Sequence, residues 1–241
     1  MSSWTSFINK IESKINVLDA KGCDVPFFRG HSISSWPLLP SIFRIPNRFA
    51  GLESVLYYEF HSYSAQLLLG KVTSWDILFE MRHHGVPTRL LDWSENFAVA
   101  LYFALNGNDT ALNPCIWMLD PFALNTQSTG KESILVPELD IEVNYYDDFI
   151  KKITIQNKDP IAIYPKKQSP RVFAQKGVFT IFGSNEKPLE KLYPTCLTKF
   201  EIPIDAIPEA NTFLKLAGID EFSIYPDLDG LARLLIKKHC T

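Results

Sequence analysis

Several features are scarce or missing in this sequence, and each absence argues against a class of protein. The four cysteines stand far apart and never form a Cys-x-x-Cys pair, which argues against a structural zinc site. No uninterrupted apolar run of about 18 residues occurs, so we expect no membrane span. Residues 1–20 lack the apolar core of a signal peptide, which predicts a cytoplasmic protein with reduced thiols. The net charge of -3 argues against a broad basic surface for nucleic acid.

The sequence motifs of several common enzyme classes are also missing. The chain contains no Gly-x-Ser-x-Gly, no Walker phosphate loop, no Gly-x-Gly-x-x-Gly after a predicted strand and no His-Glu-x-x-His. These absences argue against the α/β-hydrolases, the P-loop NTPases, the dinucleotide-binding Rossmann enzymes and the zincin proteases. We expect no metal.

The composition is that of a globular protein with a sizeable core, since 46% of the 241 residues are hydrophobic and 21% are charged. We find no internal repeat and no clear linker, so the sequence predicts a single domain over residues 1–241. Its predicted class is α+β, with helices grouped in the N-terminal half and packed on a small mixed or antiparallel sheet.

Periodicity and capping residues place the elements along the chain. Helices are predicted at 4–18, 52–69, 74–84, 95–105, 145–153, 207–216 and 227–237. Strands are predicted at 25–28, 114–119, 161–164, 171–174, 177–182, 199–204 and 222–225. Residues 32–49 form a proline-rich loop that carries Arg44 and Arg48, and residues 122–143 are ambiguous.

Polar residues are densest in residues 81–105, beside an apolar helix. Arg29 stands at the end of a predicted strand, where its fork of donors would suit a phosphate, or would form a structural salt bridge. Gly30 would let a ligand or a second backbone approach closely. The adjacent residues His83 and His84 point in different directions on a helix, so they do not form the i,i+4 metal pair of a zincin.

Residues 88–93 are interpreted as a loop with two alternative roles. Arg89 and Asp92 could pair as a strut within the loop, or Asp92 could orient Arg29 or a histidine. Ser94 is expected to cap the next helix, whose free N–H groups would form an anion site together with Thr88.

Four ordered motifs resemble the FRG domain family, named for its aromatic-Arg-Gly motif. They are Phe28-Arg29-Gly30, His84 to Trp93 followed by the apolar helix, Ala174 to Phe179, and Tyr225 to Gly230. The resemblance spans about residues 25–235. It implies a protein of bacterial or phage origin, in contexts that suggest defence or toxin systems.

The motif order is also similar, more distantly, to the ADP-ribosyltransferase superfamily. This similarity implies a split sheet, NAD as substrate, and Arg29 followed by residues 88–104 in the first two motif positions. The third position departs from the pattern, because no Glu-x-Glu or Gln-x-Glu element is present. Glu201 and Glu221 are the late glutamates on or beside predicted strands.

Three functional hypotheses follow. The first is an ADP-ribosyltransferase or NAD glycohydrolase, with a protein or nucleic acid as a possible acceptor. The second is a non-catalytic module that binds a nucleotide, a phosphorylated ligand or a partner protein. The third is a nuclease that uses His84 and Asp92. The predicted catalytic residues are Arg29, His84 and Asp92, and the predicted binding residues are Phe28, Gly30, His31, Thr88, Arg89, Trp93, Ser94 and Gln175.

Overall fold

The computed structural model describes residues 2–68, 72–106, 113–140, 144–151, 158–166 and 169–240. Its strands are β1 (Phe27–His31), β2 (Leu90–Ser94), β3 (Cys115–Leu119), β4 (Ile161–Ile163), β5 (Gly177–Ile181) and β6 (Leu197–Glu201). They form one six-stranded antiparallel sheet in the order β4-β5-β2-β1-β3-β6. The described residues thus have the predicted α+β class.

The centre of the sheet is split. Strands β1 and β2 share a single register pair, Phe28 opposite Ser94. By contrast, β1 pairs with β3, and β2 with β5, along their whole lengths. The sheet therefore consists of two three-stranded halves, β4-β5-β2 and β1-β3-β6, which separate beyond Phe28.

Helices pack around this sheet, and they lie in both halves of the chain. The described α-helices are α1 (Ser3–Asp19), α2 (Leu52–Ser64), α3 (Ser74–His83), α4 (Phe97–Leu105), α5 (Pro121–Thr129), α6 (Pro170–Ala174), α7 (Leu189–Leu192), α8 (Ile207–Leu216), α9 (Glu221–Ile224) and α10 (Leu228–His239). Among them, none has the length and hydrophobicity needed to cross a lipid bilayer.

Helix α4 is the central helix, as its continuous apolar sequence predicts. It crosses β1 so closely that a Cβ atom on Gly30 would lie 1.9 Å from the carbonyl oxygen of Ala100. Gly30 is therefore required by the contact between strand and helix backbones, which was one of its two predicted roles.

For α1, α3, α4, α8 and α10, the predicted first and last residues agree with the structure within two residues. Thr73 caps α3 in a capping box with Asp76, and Asp227 caps α10. Helix α2 ends at Ser64, earlier than predicted, while residues 69–71 lie outside the described part of the chain.

The strand predictions contain three errors. Residues 88–93 were expected in a loop, but residues from Leu90 onwards form β2, because Leu90, Leu91 and Trp93 are buried in the core. Residues 171–174 and 222–225 were expected as strands but fall in the short helices α6 and α9. Pro170 opens α6, and Asp220 starts α9 through a capping box with Ser223.

Two further differences concern residues 122–153. The ambiguous part begins with α5, which Asp120 caps. The helix predicted at 145–153 is a single π-helical turn at Tyr146–Ile150, and residues 152–153 lie outside the described part. The free thiols of Cys23, Cys115 and Cys196 are buried, and that of Cys240 is exposed.

Candidate functional site

A cleft of about 560 Å³ opens where the two halves of the sheet separate. Cavities of this size commonly hold small molecules and cofactors. Its walls come from β1, β2, α3, α4, α6 and the proline-rich loop that follows β1. The predicted site residues that line it are Phe28, Arg29, Gly30, His31, Asp92, Trp93, Ser94 and Gln175.

Arg29 links the two halves of the sheet from within the cleft. Its Nη1 donates to the backbone oxygen of Asp92 over 2.7 Å, and its Nε donates to Nε2 of His31 over 2.9 Å. Burial lowers the pKa of Arg29 to about 10, and nearby arginines add to that effect while Asp92 opposes it. Arg29 therefore stays charged at neutral pH and holds a fixed orientation.

Asp92 does not pair with Arg89, which was one of its two predicted roles; it contacts Arg29, as the other role predicted, and pairs mainly with Arg82. Arg82 Nε donates to both carboxylate oxygens of Asp92, at 2.8 and 3.0 Å, and Arg82 Nη2 donates to Oδ2. Arg29 Nη1 lies 3.6 Å from the same oxygen. Burial raises the pKa of Asp92, but the two arginines outweigh burial and lower it overall. The carboxylate is ionised at neutral pH.

His31 is a neutral residue buried in the cleft wall, with 3% of its surface exposed. Its Nε2 accepts the hydrogen bond from Arg29, which leaves the proton on Nδ1. Burial, followed by the charges of Arg29 and Arg44, lowers its pKa to about 3. Nδ1 is itself buried and makes no hydrogen bond of good geometry with a described residue, while the nearby backbone of Trp36 partly opposes the fall in pKa. His31 is therefore a fixed acceptor for Arg29 in the cleft wall.

Two arginines that sequence reasoning missed, Arg82 and Arg171, also line the cleft, together with Arg44 of the proline-rich loop. Arg171 donates to the carbonyl oxygen of His83 at 3.1 Å and stacks over the ring of Tyr225. Arg44 is exposed and makes no hydrogen bond or ion pair with any described residue. With Arg29, four arginines face one carboxylate, an excess of three positive charges among the described lining residues.

Aromatic rings form the apolar part of the cleft. Beyond the predicted Phe28 and Trp93, they are Trp36, Phe79, Phe103 and Phe179. Trp36 leaves 45% of its surface exposed, while its ring meets His31 edge to face at 6.1 Å. The indole N–H of Trp93 is used internally, since it donates to Thr180 Oγ1 over 3.1 Å. The cleft thus combines a cationic wall with flat apolar surfaces.

Three predicted site residues do not line the cleft. Arg89 forms a buried ion pair with Glu53 and donates to the carbonyl oxygens of Phe182 and Gly183 at 2.8 and 2.9 Å. The hydroxyl of Thr88, 1% exposed, accepts from the backbone N–H of Leu90. Both hold the chain entering β2.

His84 is the third of these residues. Its side chain is 64% exposed, and its Nε2 lies 3.6 Å from Glu80. The neighbouring His83 lines the cleft instead. The nuclease hypothesis required His84 and Asp92 in one site, and this arrangement does not bring them together.

Ser94 was expected to cap α4, but it is the last residue of β2. Asn96 caps the helix instead, because its side chain accepts from the N–H of Ala98. The Ser94 hydroxyl donates to the carbonyl oxygen of Gln175 at 2.7 Å, and Gln175 Nε2 donates to the carbonyl oxygen of Ile224. The prediction that Ser94 caps α4 is therefore wrong, and both side chains tie neighbouring elements together.

The late glutamates lie away from the cleft. Glu201 pairs with Lys199 at 3.7 Å, and Glu221 pairs with Lys237 at 2.6 Å. Among the described lining residues, Asp92 is the one carboxylate. Among the described residues, Asp92 is thus the candidate for any chemistry in the cleft that needs a carboxylate.

The FRG domain profile matches residues 25–112, which confirms the resemblance over that stretch. This range contains β1, the proline-rich loop, α3, β2 and α4, and so most of the cleft wall. Arg171 and Gln175 lie outside it. No curated protein and no solved structure gives a significant match to the chain.

Proposed function

We propose, from the FRG domain match and the composition of the cleft, that this chain binds NAD and breaks the bond between nicotinamide and ribose. The ADP-ribose would pass to water or to a protein or nucleic-acid acceptor. A role as a defence or toxin effector in bacteria or phage is part of this proposal and is supported by the family resemblance.

The observation that carries the proposal is the exposed Arg44, which stands in the cleft wall beside the fixed guanidinium groups of Arg29 and Arg82. Arg29 and Arg82 are already held by Asp92, so their positions are fixed before a ligand arrives. Arg44 is exposed and makes no hydrogen bond or ion pair with a described residue, and Asp92 attracts it only at longer range. Guanidinium groups bind phosphate oxygens through two parallel hydrogen bonds, so this wall suits a pyrophosphate.

The aromatic walls suit the rings of a dinucleotide. Trp36 is partly exposed at the proline-rich loop, and Phe103 and Phe179 lie on α4 and β5. Flat heterocycles stack on aromatic side chains at about 1–3 kcal/mol per base. A cavity of about 560 Å³ can hold most of one such ligand.

The proposed reaction separates charge, and Asp92 is the residue that could respond to it. As the C1′–N bond breaks, its electron pair leaves with neutral nicotinamide and positive charge develops on the ribose. An ionised carboxylate beside C1′ would stabilise that charge. A nucleophilic oxygen or nitrogen would then bond to C1′ and release its proton to solvent.

A second function, a module that binds the nucleotide without cleaving it, is favoured by the hydrogen bonds of Asp92. Arg82 contacts both of its oxygens, and Arg29 lies beside one of them. A carboxylate that is neutralised by two arginines stabilises a developing cation less than a free one does. The same cleft would then bind a phosphorylated ligand without cleaving it.

The two functions are separated by incubating the purified chain with NAD and measuring free nicotinamide, with labelled NAD to detect modified protein or nucleic acid. Asp92→Asn is the informative variant, and Glu201→Gln is its matched control outside the cleft. Release that Asp92→Asn abolishes and Glu201→Gln retains supports cleavage. Saturable NAD binding without any release of nicotinamide supports the binding module. The absence of both NAD binding and nicotinamide release would contradict both functions.

A further inference from the structure

Glu80, His83 and His84 form a cluster at the C-terminal end of α3. His83 and His84 follow Glu80 at i+3 and i+4, so each can lie beside it. His84 is the C-cap of the helix, and its ring centroid lies 4.7 Å from that of His83. His83 Nδ1 lies 3.4 Å from Glu80 Oε2, and His84 Nε2 lies 3.6 Å from the same oxygen. One ligand atom from each residue lies within 4.8 Å of the other two.

These separations are close to those of a coordination shell. Two nitrogen or oxygen ligands on a tetrahedral zinc ion, each about 2.0–2.1 Å from the metal, lie about 3.4 Å apart. Two imidazoles and one carboxylate are a ligand set that suits zinc and related divalent transition metals. Small rotations of the side chains would bring all three atoms to one centre.

The end of helix α3 contributes to cation binding. The cluster lies at the negative end of the α3 dipole, where positive charge is stabilised and where Arg171 already donates to the carbonyl oxygen of His83. The side chains of Glu80 and His83 are 28% and 21% exposed, whereas that of His84 is 64% exposed. The site is thus anchored in the protein on one side and open to solvent on the other, which leaves coordination positions for water or a ligand.

We propose that Glu80, His83 and His84 bind a divalent transition metal of the zinc type with three protein ligands and an open position. His83 also lines the cleft, so the ion would add positive charge at its edge and could coordinate a phosphate oxygen. This proposal departs from the expectation of no metal, which considered the two histidines without Glu80. It does not depend on NAD binding or cleavage.

The test is calorimetric titration of metal-free full chain with zinc chloride, and with cobalt chloride while visible absorption is recorded. A Cys240→Ser background removes the exposed thiol as a competing ligand. Because the His84 side chain is largely exposed, His84→Ala should fold normally, and Glu80→Gln preserves side-chain shape. His61→Ala is the matched control, since His61 is an exposed histidine in the last turn of α2.

We expect one-to-one saturable binding, weakened at least about tenfold by Glu80→Gln and by His84→Ala and unchanged by His61→Ala. Cobalt bound by the parent chain should show the intense visible bands of four-coordination, and His84→Ala should lose them. Absence of saturable binding would overturn the proposal. Binding that both ligand variants leave unchanged would overturn it as well.

Discussion

Arg29 donates from Nη1 to the backbone carbonyl oxygen of Asp92, 2.7 Å away, at the point where β1 and β2 separate. The guanidinium takes the place of a strand-to-strand hydrogen bond and keeps the split sheet at a fixed width. Arg29 therefore lines the cleft and also stabilises the fold by joining β1 to β2. Its replacement by alanine would change stability and ligand binding together, so other residues are needed to test binding.

The contact between β1 and α4 predicts that Gly30→Ala destabilises the protein. The new Cβ would meet backbone atoms, at 1.9 Å from Ala100 O and 2.6 Å from Ala104 N, and backbone cannot rotate away. We expect a loss of about 3 kcal/mol in the free energy of unfolding, measured by chemical denaturation. The control is Gly177→Ala, whose Cβ would lie 3.5 Å from Val172. An equal loss in both variants would refute this account.

The buried pair Arg89–Glu53 is predicted to be structural. Its side chains are 9% and 13% exposed, and Tyr145 also donates to Glu53 Oε1 at 2.6 Å. Because Glu53→Gln leaves a buried guanidinium without its counter-charge, we expect it to cost about 3 kcal/mol of unfolding free energy. Glu53→Gln with Arg89→Met should cost less than the sum of the single variants. Additive losses, measured in a double-mutant cycle, would contradict the pairing.

His31 gives the protein a specific pH dependence. Its pKa falls from the ordinary value near 6.5 to about 3 on folding, so only the unfolded chain takes up a proton between these values. Proton uptake by His31 in the unfolded chain therefore does not lower the free energy of unfolding above pH 6.5, and it lowers this free energy progressively as the pH falls towards 3. We expect His31→Gln to flatten the unfolding free energy across this window.

NMR titration of the His31 ring provides the direct check. The resonances should not move between pH 8 and pH 5, because the folded imidazole stays neutral. A midpoint near 6.5 for His31 would show that the ring is not buried against Arg29 as described.

Asp92 is stabilised in its charged form by cationic partners, and it therefore affects stability in a different pH range from His31. Its pKa is lowered in the folded protein, so its contribution is present above the unfolded value near 4 and is lost at lower pH. Arg82→Gln removes the main cationic partner and should raise the pKa of Asp92, as read from its carboxyl NMR resonance. The side chain is 37% exposed, so we expect a stability cost of only about 1 kcal/mol. An unchanged pKa would mean that Arg82 does not govern this charge.

Much of the site could be predicted from short-range patterns in the sequence. The all-apolar run of α4 indicated a buried helix. Phe28, Arg29 and Asp92 stood out in the sequence as members of short motifs, and all three line the cleft. Periodicity and capping are local properties, so helices such as α8 were predicted to the residue. The same local signals predicted a polar loop at β2, because Asp92 interrupts its apolar run.

The remaining features depend on contacts between distant parts of the chain. Pairing of Arg89 with Asp92, three residues away, was one of two alternatives, but the partner of Arg89 is Glu53 on α2. Arg82 reaches the cleft from α3, and nothing in its local sequence marks it. The proline-rich loop was noted for Arg44 and Arg48, but its sequence does not show which of the two lines the cleft. Pairings of this kind follow from the tertiary fold, which periodicity does not specify.

The most direct test of the nucleotide cleft is calorimetric titration of the chain with NAD and ADP, comparing Arg44→Gln with Arg48→Gln. The two arginines stand four residues apart in one loop, but Arg48 pairs with Glu186 and lines a different pocket. We predict saturable binding that Arg44→Gln weakens at least about tenfold, or about 1.4 kcal/mol, and that Arg48→Gln leaves unchanged. Absence of binding by the unmodified chain, or an equal effect of both variants, would contradict the account.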